Sequence, residues 1–283
     1  MFVVLGAGGN VGSQVVKALV ADGRKVLALV HSAAKGDALR SELVEPVVAD
    51  IRDVATLRDL FRRGRRAFLL NPPGDPSGDS EAAELETGSA IAEALAGSGL
   101  EKIVVASTYG ARPGESIGDL STLHRFEELT VASGIPAAIN RGAYYFTNLD
   151  MLVDAAREGV LPTAFPPDFV LPMVAPEDLG KAAAQRLASG VEDVGIRHVE
   201  GPERYSFADV AAVLGRLLGR EVEVLATPRE SWEESFRAVG FSERSARSFA
   251  RMTAATIDEP EQVDEPIRGS VTLEAYLAEL IGH

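Results

Sequence analysis

A chain of 283 residues, 46% hydrophobic and 25% charged, carries enough apolar material for a full core, and its length suggests one large domain or a domain with a small partner. No run approaches the ~18 uninterrupted apolar residues of a membrane span, and a formal net charge of -14 argues against nucleic acid as a direct partner. With no cysteine, and with His31, His124, His198 and His283 far apart, disulfides, thiolate chemistry and metal sites are not expected, so any redox chemistry must come from a bound cofactor.

Met1 to Leu5 run directly into an apolar strand with no basic leader, so a cytoplasmic protein is expected. The first half then alternates short β-branched runs with longer helical stretches. Strands are predicted at Phe2–Leu5, Lys25–Val30, Val44–Ala49, Ala67–Leu70, Lys102–Ala106 and Ala137–Asn140, each followed by a helical segment. Runs such as Phe-Val-Val-Leu and Ile-Val-Val-Ala are apolar without alternation, as strands covered on both faces require. Right-handed crossovers give a doubly wound parallel Rossmann sheet of the α/β class.

Beyond about residue 142 the rhythm breaks at Pro162, Pro166, Pro167, Pro172 and Pro176, which read as loops on the substrate side. A second set follows: a helix at Glu177–Ala188, a strand near Ile196–Val199, a helix at Ser206–Leu218 and a strand at Glu221–Leu225. Further helices are predicted around Arg229–Val239, Ser242–Ala254 and Leu273–Ile281. Ser206 to Asp209 resembles a capping box with Asp in place of Glu. The expected division is a Rossmann domain over residues 1–150 and a smaller C-terminal α/β lobe over 151–283, partly interleaved with it.

Between the first strand and the amphipathic stretch Val11–Val20 stands Gly6-Ala7-Gly8-Gly9-Asn10-Val11-Gly12. In that context glycines permit a tight turn and let backbone amides approach a pyrophosphate, whose charge a helix N-terminus favours. The common G-x-G-x-x-G spacing would need glycine where Val11 stands; Gly6, Gly9 and Gly12 instead give G-x-x-G-x-x-G. Gly6, Gly8, Gly9, Asn10 and Val11 are the candidate cofactor contacts, against the competing reading of a ligand-free turn.

At the end of the second strand an NAD site usually carries an acid for the ribose hydroxyls. Here Val30-His31-Ser32-Ala33-Ala34-Lys35 has none, while His31, Ser32 and Lys35 offer donors to a 2′-phosphate. NADP(H) is therefore expected ahead of NAD(H), the alternative being that these residues belong to a solvated loop. Asp50, after the third strand, would hold the adenine end or cap the next helix, and Asn71-Pro72-Pro73 ends the fourth strand where backbone passes the nicotinamide ribose.

Many short-chain dehydrogenases move the substrate proton with Tyr and Lys four residues apart, together with a Ser. Tyr109, Tyr144, Tyr145, Tyr205 and Tyr276 are followed four positions later by Pro113, Asn148, Leu149, Asp209 and Leu280, so this chain has no such pair. Ser107 ends the fifth strand, and His124 and Glu128 take the four-residue spacing on the following helix.

The glycine start, the basic loop at His31 and Lys35, His124-x-x-x-Glu128, and the run Ser133 to Gly142 with Tyr144, Tyr145 and Asn148 together resemble the NmrA-like atypical short-chain dehydrogenase/reductase family. The likeness covers roughly residues 1–240 and is strongest over the first 150. It implies either an NADPH-dependent reductase of quinones or similar conjugated acceptors, or a non-catalytic redox sensor that binds a protein partner through its acidic surface. For a reductase, Tyr144, Tyr145, Phe146 and Asn148 would line the acceptor, with His124 and Tyr144 as the catalytic candidates and a homodimer a further option.

Overall fold

The computed structural model describes residues 1–282. Its first half alternates without interruption: β1 (Phe2–Val4), α1 (Asn10–Ala21), β2 (Val26–Val30), α2 (Ala33–Leu39), β3 (Val44–Val48), α3 (Val54–Arg62), β4 (Arg66–Leu69), α4 (Ser80–Leu95), β5 (Lys102–Thr108), α5 (Asp119–Ala132) and β6 (Ala137–Gly142). There follow β7 (Tyr144–Tyr145), α6 (Val153–Arg157), β8 (Val160–Thr163), β9 (Leu171–Val174), α7 (Pro176–Ala188), β10 (Gly195–Glu200) and β11 (Arg204–Tyr205). The chain ends with α8 (Phe207–Leu218), β12 (Glu223–Ala226), α9 (Trp232–Ala238), α10 (Glu243–Asp258), β13 (Ile267–Arg268) and α11 (Leu273–Ile281).

Eight strands pair in parallel in the order β13-β10-β6-β5-β4-β1-β2-β3. The strand order reverses between β1 and β4, and the crevice at the carboxyl ends there is where a doubly wound sheet takes its ligand. Burial on both faces explains the unbroken apolar runs. Val3 and Leu5 join Leu57, Phe61 and Ile91 on one face, while Val4 joins Val15, Leu19, Ala183 and Leu187 on the other. On that second face α1 and α7 approach closely at Gly180, where a Cβ would stand 2.4 Å from Gln14 Cβ.

Helix α7 and strands β10 and β13 come from the second half yet complete the main sheet and its cover. The remaining lobe is a β11-β9-β7 sheet and a β12-β8 pair around Phe146, Met173, Phe207, Leu273 and Leu277. Two of its strands, β8 and β9, contain Pro162 and Pro172, which the sequence reading took for loops. The helix predicted over Arg229–Val239 divides into a 3-10 turn, Arg229–Ser231, and α9. The capping box forms as expected, with Asp209 N–H donating to Ser206 Oγ at 3.2 Å and Ser206 N–H to Asp209 Oδ2 at 2.8 Å. No helix among the described residues is long and apolar enough to cross a membrane.

Candidate functional site

The turn after β1 is built by its glycines. Gly6 adopts φ +64°, a left-handed conformation that disfavours a side chain, and its carbonyl accepts the Gly9 N–H at 2.9 Å. A Cβ on Gly12 would lie 2.1 Å from that same carbonyl, so only glycine lets α1 start this close to the turn. No side chain caps α1, and the amides of Asn10 and Val11 in its first turn have no acceptor among the described residues. The aliphatic stem of Lys35 lies across Gly8, whose Cβ would stand 3.1 Å from Lys35 Cβ. Lys35 and His31 are exposed, and Ser32, at the N-cap position of α2, makes no capping bond with its hydroxyl. A turn with free amides and a cation laid over it fits the pyrophosphate and adenosine end of a dinucleotide.

The other expected cofactor contacts are placed unequally. Asp50 is exposed and turned onto Arg52, which donates from its amide at 2.9 Å and twice from its guanidinium at 3.2 Å. The cap of α3 is Asp53, not Asp50. Asn71 is buried at the end of β4. Its Nδ2 donates to the Glu84 carbonyl at 3.0 Å, while its Oδ1 is buried with no donor among the described residues. Pro72 beside it is half-buried. Ser107 is 2% exposed and donates to Glu127 Oε1 at 2.5 Å.

That last contact opens a network that the sequence reading missed. Arg141 clasps Glu127 through Nε at 2.9 Å and Nη2 at 2.8 Å and reaches Glu261 Oε1 at 3.0 Å. Glu261 also accepts the Gly110 N–H at 2.7 Å and lies 3.1 Å from His198 Nε2. Burial opposes ionisation of Glu261, but His198, the Gly110 amide and Arg141 together hold its carboxyl down to about 2. Tyr109 packs edge-on to His198 at 4.7 Å and donates to the fully buried Glu200, which also accepts from Arg204 and Arg268. Strand ends β5, β6 and β10 and the segment after α10 are thereby locked together.

Of the residues expected to line an acceptor, Tyr144 and Tyr145 stand half-buried just past β6. Tyr144 meets Phe165 and Phe207 edge-on at 5.9 and 6.2 Å. Burial pushes its phenol up to about 12, so the hydroxyl is a donor at neutral pH. Tyr145 lies over Gly142, where a Cβ would sit 2.9 Å from Tyr145 Cε1. Phe146 is completely buried in the lobe core and Asn148 is exposed. His124 is half-buried on α5, and Glu128, four positions on, pairs with Arg125 at 3.0 Å. Asp119, which no motif marked, opens α5. Burial, then the charges of Glu84 and Glu81, push its carboxyl up to about 7, and its charge in turn helps push the Tyr145 phenol up to about 12 after burial has done most of it. No group of three or more metal-ligating side chains occurs among the described residues.

An eight-stranded doubly wound sheet with this glycine turn at its switch point defines the class: a Rossmann-fold protein whose α5 lacks the Tyr–Lys pair. The NmrA-like family model matches residues 1–277, and the chain belongs to that family. It is 24% identical over 261 residues to the NAD(P)H azoreductase of Xenophilus azovorans, covering 90% of this chain and 86% of the relative. The fold is shared with the NADPH-dependent quinone oxidoreductase QOR2 of Escherichia coli complexed with NADPH, at a TM-score of 0.83 and 20% identity over 99% of this chain and all of the other. The triphenylmethane reductase of Citrobacter sp. complexed with NADP(H) matches at 0.83 and 17% identity, with the same coverage.

Proposed function

We propose that this protein is an NADP(H)-dependent oxidoreductase that reduces a quinone or a similar planar conjugated acceptor. The observation that carries the reading is the uncapped N-terminus of α1 behind the Gly6–Gly12 turn, with Lys35 laid over Gly8 and no acid at the end of β2. Gly6, Gly8, Gly9, Asn10 and Val11 hold the pyrophosphate. His31, Ser32 and Lys35 receive a 2′-phosphate, and the unpaired Oδ1 of Asn71 beside Pro72 faces the nicotinamide half. Asp50 serves the adenine end only if Arg52 releases it, and Ser107 backs the cleft floor through Glu127.

The dihydronicotinamide, when bound, supplies the hydride. The chain's task is then to orient the acceptor, exclude water and deliver one proton to the acceptor oxygen. Tyr144 and Tyr145 form the acceptor wall, Phe146 supports it from behind and Asn148 stands at its rim. The protonated Tyr144 hydroxyl donates to the acceptor oxygen, while Asp119 on α5, its carboxyl pushed up to about 7, is a proton source and His124 stands on the same helix as a second donor.

A cofactor sensor without turnover is the second reading, favoured by one observation: the Ser107 hydroxyl is committed to Glu127 and no tyrosine–lysine pair accompanies it. Steady-state NADPH oxidation against a panel of quinones and azo dyes, alongside cofactor titration, separates the two. Turnover with NADPH well ahead of NADH supports the oxidoreductase. Tight NADPH binding with every acceptor left unreduced overturns it in favour of the sensor.

A further inference from the structure

A concavity lies at the end of the sheet opposite the glycine turn, where its strands begin. A cavity of about 440 Å³ opens where β1 starts and where the turns before β2 and β4 meet the last residue of α7. Its lining includes Phe2, Arg24, Lys25, Arg65, Arg66 and Ala188, with four cationic side chains and no acidic one. In a chain with 42 carboxylates against 28 lysines and arginines, such a concentration is the reverse of what composition alone would produce.

The four cations are not equally committed. Arg66 is braced from the α7 end, its Nη1 donating to the Leu187 and Ser189 carbonyls at 2.5 Å each, and Arg65 pairs with Glu101 at the rim. Arg24 and Lys25 have no ion pair and no side-chain hydrogen bond among the described residues. They are exposed on a turn that Gly23, at φ +69°, bends toward the opening. Like charges gathered in one concavity repel one another, and their field is concentrated there by the low-dielectric walls. An arrangement that costs the folded chain energy without an internal partner is satisfied by an external anion. The volume suits a small molecule, and two free cations beside a braced guanidinium suit several negative charges more than one.

We propose that this cavity is a second ligand site, for a small polyanion carrying several phosphate groups, separate from the cofactor cleft and independent of the proposed activity. The probe is inorganic tripolyphosphate, titrated calorimetrically into the full chain with and without saturating NADPH, in about 20 mM and about 150 mM salt. Binding should persist with NADPH present, weaken at the higher salt, and fall at least ten-fold in Arg24→Ser/Lys25→Ser, whose exposed positions leave the melting temperature unchanged. Arg65→Ser should weaken it independently, whereas Lys35→Glu at the glycine turn should change it less than two-fold. Citrate in parallel distinguishes phosphate selectivity from charge alone, and equal affinity for citrate overturns the phosphate assignment. No binding, binding abolished by Lys35→Glu, or heat indifferent to Arg24, Lys25 and Arg65 overturns the site.

Discussion

Replacing Arg141 with methionine removes one partner of the most enclosed ion pair near the cleft while keeping most of the side-chain volume. Arg141 and Glu127 side chains are only 10% and 6% exposed, and three charge-assisted bonds at 2.8 to 3.0 Å disappear together. Glu127 retains only the Ser107 hydroxyl, and Glu261 keeps His198 and the Gly110 amide. Stranding a buried carboxylate costs about 3–5 kcal/mol, which corresponds to a fall in Tm of roughly 6–20 °C for a domain of this order. The measurement is urea unfolding followed by far-UV circular dichroism and by fluorescence of Trp232, buried with its Nε1 on the Thr227 carbonyl at 2.9 Å. Coincident transitions license a single free energy. The companion Arg141→Met/Glu127→Leu removes the stranded charge as well and should recover at least half of the loss. A single-variant cost below about 1 kcal/mol, or a double variant no better than the single, would refute the claim that this pair is electrostatically closed off from solvent.

Lys35→Glu should weaken NADPH binding by about 10- to 100-fold, about 1.4–2.8 kcal/mol, while NADH binding changes little; equal loss for both cofactors removes the 2′-phosphate assignment. Tyr144→Phe keeps the contacts with Phe165 and Phe207 and should lower kcat about ten-fold with NADPH affinity intact, whereas unchanged turnover in both Tyr144→Phe and Tyr144→Ala places the acceptor elsewhere. Asp119→Asn tests the raised carboxyl at the start of α5. Because the folded state holds this proton up to about 7 and the unfolded chain releases it near 3.8, its contribution is complete below 3.8 and is lost as pH rises through 7. The variant should therefore be more stable than the parent at pH 8, by about 1–3 kcal/mol, and show no such gain at pH 4. Glu261 runs oppositely: its contribution is present above about 4.5 and fades as pH falls toward 2, so Glu261→Gln should lose stability at neutral pH and converge on the parent in acid.

The elements that the sequence displayed clearly are those whose environment is uniform along their length. Strands β1 and β2 are apolar throughout, and β5 over Ile103–Ala106 and β6 over Ala137–Ile139, because helices cover both faces, and a glycine with no space for a Cβ, such as Gly12, announces its turn wherever it is read. What stayed hidden depends on contacts between distant segments. Strand β13 has two residues and exists only because β10 offers it an edge, and β9 exists because Tyr144 and Arg204 reach it from either side. The same holds for chemistry. His124 and Glu128 had the right spacing on one helix, yet Glu128 found Arg125, because a neighbour three positions away is as close on a helix surface as one four positions away. Arg141 and Glu127 are 14 positions apart, and Glu261 lies 120 beyond Arg141, so no local pattern could join them.

This distribution bears on how the cleft works. The proposed cofactor half rests on local backbone geometry, the Gly6 turn and the uncapped α1. The proposed acceptor half rests on long-range packing: Tyr144 packs against Phe165 and Phe207, and the ends of β5 and β6 are tied by Glu261 to the segment after α10. Substitutions in that segment can therefore move the acceptor wall without touching the nucleotide turn. On the proposed function, variants at Glu261 should alter KM for the acceptor while leaving NADPH affinity within about two-fold. A parallel loss of both would mean that the two halves of the cleft are mechanically one.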